Sequence, residues 1–81
     1  MKIKEPLLEV HWVDACARAG WGSQQYHKNC LEDGLNAHTV GYLISETPDA
    51  IILAQSIAED TDVNATLCIP KAWIKDRWVI K

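Results

Sequence analysis

The stretch Val40 to Ser56, VGYLISETPDAIILAQS, restricts the fold more than any other part of the chain, because two apolar runs meet there at Thr47-Pro48-Asp49. Proline presets the backbone for a turn, and Thr and Asp side chains bond the neighbouring main chain. The run before the turn, Ala37 to Glu46, carries β-branched and aromatic residues, and the triple Ile51-Ile52-Leu53 opens the run after it. Two strands joined as a β-hairpin are expected. The second run, Ala50 to Glu59, also fits a helical period through Ile51, Ala54, Ile57 and Ala58, but its β-branched start directly after a turn favours the strand.

The same logic extends along the chain. Leu7 to Ala15 alternates, with Leu8, Val10 and Trp12 on one face and Glu9 and His11 on the other, which predicts a strand. Glycines 20 and 22 then interrupt regular structure. Ser23 is placed to cap a short helix over Gln24 to Asp33, with Tyr26 and Cys30 on one face and Gly34 where a helix ends. After the acidic turn Glu59 to Asn64, the residues Val63, Ala65, Leu67 and Ile69 alternate against Asn64, Thr66 and Cys68 as a further strand. Pro70, which has no N–H, is expected to stop that ladder; PKAW reads as a tight turn and Ile74 to Ile80 as a last strand. The expected fold is mainly β: a single domain over residues 1–81, a small five-stranded barrel with one short helix between strands 1 and 2. Closure removes most open edges.

The run GYLISETPDAIILAQS followed by CIPKAWIKDRWVI resembles the Sm-like family of small barrels, which includes the Sm and Lsm proteins and the bacterial RNA chaperone of that class. Gly41, Leu43, Ser45, Ile51 to Leu53, Gln55, Ser56, Lys71 and Ile74 fall on matching positions, within about Val40 to Ile80. The resemblance implies an Sm-like or SH3-like barrel and protomers that form rings by pairing edge strands. RNA-binding members carry a Lys-His or Arg-Gly pair near the last turn and Asp-x-Asn before the third strand. Here Ala72 follows Lys71, and the loop reads Glu-Thr-Pro-Asp-Ala. The segments VHWVDACARAGW, YLI, LAQS and IPKAWIK also resemble small phage and prophage proteins, which names a setting without an activity.

At 81 residues, the chain buries only about 60–65% of the surface that its unfolded form exposes, so a homo-oligomer is expected to add stability. Cys16, Cys30 and Cys68 cannot all pair within one chain, and MKIKEPLLEV lacks the apolar core of a secretion signal. Free thiols in a bacterial cytoplasm are expected. No membrane association is expected either, because no apolar run approaches the roughly 20 residues of a span. Eleven acidic against eight basic residues give a net charge of −3. That balance disfavours binding of a long nucleic acid through its phosphates.

Catalysis is not expected. Cys16 and His11 do not form a nucleophile pair, the glycines make no phosphate loop, and no acid–base pair converges. His27, Cys30, His38 and Cys16 lack a Cys-x-x-Cys anchor, so neither a metal site nor a cofactor is expected. What stands out is a group of aromatic and basic residues. Trp12 and Trp78 lie on apolar faces and are expected in the core, whereas Trp21 lies between glycines, outside any periodic segment. Trp73 follows Lys71 in the last turn, near Lys75 and Arg77. An aromatic plane beside a cation is suited to a nucleobase and its phosphate. The expected function is therefore non-catalytic sequestration of a small anionic, nucleotide-like ligand by a phage-type oligomer acting against a host defence signal. Trp21, Gln55, Ser56, Lys71, Trp73, Lys75 and Arg77 are the candidate ligand-binding residues. Two alternatives are kept: an Sm-like RNA binder, and a protein-interaction module acting on a host factor.

Overall fold

The computed structural model describes residues 2–14, 20–29 and 34–81. Five strands, β1 (Leu7–Asp14), β2 (Leu35–Glu46), β3 (Ala50–Ile57), β4 (Val63–Pro70) and β5 (Ile74–Val79), form one antiparallel sheet in the order β4-β3-β2-β1-β5. A short helix, α1 (Gln24–Lys28), lies between β1 and β2, and a single 3-10 turn, Lys71–Trp73, separates β4 from β5. No helix among the described residues is long and apolar enough to cross a membrane.

The hairpin predicted around Thr47-Pro48-Asp49 is present and joins β2 to β3. Thr47 Oγ1 accepts from the N–H groups of Asp49 and Ala50, and the Thr47 N–H donates to the Ala50 carbonyl. The run after the turn is strand from Ala50 to Ile57, so the helical alternative for Ala50 to Glu59 falls away. Ser23 caps α1 as predicted, its hydroxyl accepting from the Tyr26 N–H, but Asn29 is the C-cap where Gly34 was expected to end the helix. Residues 30–33, the end of the predicted helix, and Cys16 and Cys30 lie outside the described residues. Pro70 closes the ladder from inside it: it stands opposite Ala50, and Lys71 next to it donates its N–H to the Asp49 carbonyl.

The core is assembled by folding the sheet over itself. Leu8, Val10 and Trp12 of β1 pack with Ile51 and Leu53 of β3 and Ile69 of β4, and Ala37, Leu43 and Ile74 border the cluster. Trp12 is anchored by its indole N–H, which donates to Thr39 Oγ1 at 3.0 Å. The bend sits in β2. Its first part pairs with β1, and its pairing with β3 spans only Tyr42 to Glu46, with an irregularity between Leu43 and Ser45. Gly41 makes the bend possible. A Cβ there would stand 3.0 Å from Leu53 Cβ and 3.1 Å from the Ala54 carbonyl oxygen. The second contact is backbone and cannot yield cheaply. Gly41→Val is therefore expected to lower stability by about 1–3 kcal/mol in urea denaturation.

Beyond the bend, β3 and β4 continue as an arm that β2 no longer covers, and the molecule extends 55 × 22 × 20 Å. Val63 and Leu67 lie on a strand as expected, but both are exposed; Val63, opposite Ile57, stands beyond the last β2–β3 pair, Tyr42–Ala54. Trp78 is also corrected. It stands opposite Glu9, on the outer face of β1, and is exposed, whereas Trp12 is buried as expected. The hydrogen-bonded order is open, with β4 and β5 as its two edges.

Candidate functional site

The register explains how two of the sequence-predicted residues, Arg77 and Lys71, come together around Glu46. Arg77 of β5 stands opposite Val10, and Glu46 at the end of β2 stands opposite Ile51, so both project from the face that carries the core. They meet across the mouth of the bent sheet. The Arg77 guanidinium donates to both Glu46 carboxylate oxygens, at 3.2 and 2.9 Å. Lys71, held on the 3-10 turn, places its Nζ 2.7 Å from Glu46 Oε2. Two cations thus grip one carboxylate, a bidentate geometry that suits any planar or tetrahedral oxyanion.

Lys75 owes its position to a ladder irregularity. His11 pairs with Asp76 and Trp12 with Ile74, which leaves Lys75 as the extra residue of a bulge. Bulges re-aim side chains. Lys71, Ile74, Lys75, Asp76 and Arg77 line an open concavity of about 360 Å³. Lys75 has no partner among the described residues. Trp73 is bound to the core rather than free: its ring stacks on Trp12 with centroids 6.3 Å apart and planes 7° from parallel, and its outer part remains exposed.

The other candidates do not join this cluster. Gln55 and Ser56 sit toward the far end of β3 from the Ala50–Pro70 pair, about 15–20 Å along the strand at its usual rise. Gln55 instead donates to the Val40 carbonyl at 2.9 Å, where β3 parts from β2. Trp21 follows Gly20, whose φ of 90° turns the chain, and its side chain is wholly exposed, so it packs on none of the others. No known family profile matches this chain. Neither a curated protein nor a solved structure matches it.

Glu46 is the member of the cluster that the sequence concealed. It lies 31 positions from Arg77, and only the strand register brings them together. The hydrogen bonds from Arg77, then those from Lys71, hold its carboxyl well below the ordinary value of 4.5, at about 2. A carboxylate depressed in this way contributes stability that is fully present above its ordinary value and is lost as pH falls through about 2. The ion cluster is therefore expected to persist at pH 3, where free carboxylates are protonated. Carbon-13 NMR of the Glu46 carboxyl checks this; a midpoint near 4.5 refutes the grip.

Proposed function

We propose that this is a non-catalytic binding protein that captures a small anionic, nucleotide-like ligand and acts as a homo-oligomer with an Sm-like or SH3-like arrangement of strands. The observation that carries the proposal is the convergence of Lys71 and Arg77 on one oxyanion group, with Lys75 unpartnered among the described residues on the same open concavity. Here the Glu46 carboxylate marks the position a phosphate would take. The exposed part of Trp73, on the same turn as Lys71, offers a base an aromatic surface.

The five-stranded antiparallel order and the tight turn before β5 support the Sm-like reading. Both edges of the sheet support assembly. β4 exposes Val63 and Leu67, and β5 exposes Trp78 and Val79. The acidic turn Glu59, Asp60 and Asp62 beside β4 complements Lys75, Arg77 and Lys81 beside β5. Encoded by a phage, such an oligomer serves as a sponge for a nucleotide immune signal. A second reading, an interaction module for a host factor, is favoured by Trp21 alone, an indole entirely in solvent.

Light scattering together with calorimetry at two salt concentrations tests the proposal. A cyclic dinucleotide or a cyclic ADP-ribose isomer is expected to bind with a shallow salt dependence to a species well above 9.1 kDa. Oligouridine binding with a steep loss in salt assigns the protein to RNA, because many displaced counterions give that slope. A monomer that binds none of the three overturns the proposal.

A further inference from the structure

The start of β1 borders a concavity that neither the core nor the cationic cluster uses. Lys2, Ile3, Glu5, Leu7, Tyr42 and Lys81 enclose about 480 Å³, within the range of about 300–1,000 Å³ usual for small-molecule sites. Backbone pairing builds its floor. Leu7 stands opposite Tyr42 of β2, and on its other side its N–H donates to the Lys81 carbonyl at 2.8 Å. The chain bends at Glu5, and Lys2 and Ile3 form a wall beside that floor. The same segment borders a second, smaller space of about 120 Å³ with Ile57, Ala58 and Thr61 at the tip of the β3–β4 arm. Two cations, a carboxylate and a phenol thus share one space with the aliphatic side chains of Ile3 and Leu7. None of the four polar side chains has a hydrogen-bond or ion-pair partner among the described residues.

We infer that this concavity binds a free α-amino acid with an aromatic or branched aliphatic side chain. Opposite charges that share a site and leave each other unpaired match a ligand that carries both. The carboxylate of an amino acid suits the ammonium groups of Lys2 and Lys81, and its own ammonium suits Glu5, each through charge-assisted hydrogen bonds. Its apolar part then covers Ile3, Leu7 and the Tyr42 ring, and the Tyr42 hydroxyl is a further donor for the carboxylate. Glu5 and Tyr42 are half-buried, so they orient the ligand while the two exposed lysines close on it. A simple organic anion uses the lysines but sets its apolar body against an unpaired Glu5, and a simple amine leaves the lysines unpaired instead. The site is separate from the Lys71–Arg77 concavity, because the two share no lining residue. Only strand pairing reveals it, by bringing Tyr42 and Lys81 to the two sides of Leu7.

Titration of the whole protein with L-phenylalanine, followed by NMR at the Leu7 amide and the Tyr42 ring, tests the inference. Saturable one-to-one shifts are expected at both. 3-Phenylpropionate, which lacks the ammonium, and phenethylamine, which lacks the carboxylate, are each expected to bind about tenfold or more weakly, the usual loss for one charged hydrogen bond. Glu5→Gln should weaken phenylalanine binding and leave 3-phenylpropionate binding no weaker, whereas Lys2→Ala with Lys81→Ala should weaken both. Lys28→Ala, on α1, should change neither. The comparison of the three ligands on the unmodified protein decides the matter even where a variant folds poorly. No shift at Leu7 and Tyr42, 3-phenylpropionate or phenethylamine binding as tightly as phenylalanine, or phenylalanine binding that survives loss of both lysines overturns the inference.

Discussion

Ile51→Ala is expected to destabilise the protein by about 2–5 kcal/mol, the range for deleting a buried branched side chain. Ile51 is fully buried, and among the described residues the cluster around it contains five other buried side chains: Leu8, Val10, Trp12, Leu53 and Ile69. Small domains start near the low end of the usual 5–15 kcal/mol of stability, so this one change removes a large share of it. Collapse of the cavity is resisted on several sides, because the neighbours belong to three different strands of a hydrogen-bonded sheet. The urea midpoint should fall sharply. Val40→Ala, on the exposed face of β2, should leave it almost unchanged. Equal midpoints for the two variants refute the placement of the core.

Glu46→Gln is expected to strengthen binding of a small phosphate-bearing ligand by about tenfold or more while making the fold less stable. An incoming anion must either displace the Glu46 carboxylate from its charge-assisted hydrogen bonds or bind against its repulsion. Removing that charge leaves Lys71 and Arg77 ready for the ligand. It also removes the bridge from β2 to β5 and to the turn. Lys71→Ala should act oppositely on affinity, weakening it by about tenfold or more, with no change in subunit number. Calorimetry of the three proteins against one cyclic dinucleotide or cyclic ADP-ribose isomer measures both effects. If Glu46→Gln destabilises without changing affinity, the cluster is purely a structural clasp.

Strand positions were legible because each side-chain pattern is local. The Thr47-Pro48-Asp49 turn, the alternation of Leu8, Val10 and Trp12, and the Ser23 cap each need only a few neighbouring residues to be recognised. Exposure was less legible, because alternation tells which residues share a face and not whether anything covers it. Val63 alternates as a core residue does, yet β2 leaves β3 before reaching it. Trp78 faces out because its partner is Glu9, a pairing that no local pattern reveals. For the candidate site, Lys71, Trp73, Lys75 and Arg77 could be grouped because they are close in sequence. Glu46 could not, and Gln55 and Ser56 were grouped by a family pattern although the strand's length separates them from the turn.

The position of β1 in the sheet also bears on the order in which the chain matures. β1 carries half of the buried cluster and pairs on one side with β2 and on the other with β5, Leu8 lying opposite both Gly41 and Val79. As synthesis proceeds, its first neighbour arrives after a helix and its second only after three further strands and the 3-10 turn have been made. Until then β1 lacks its β5 neighbour, and the Arg77 link to Glu46 cannot form. Non-local pairing of this kind slows folding toward milliseconds to seconds. During that interval an unpaired apolar strand is open to the strands of other nascent copies, so low temperature and a low concentration of nascent chains should favour recovery of the folded protein.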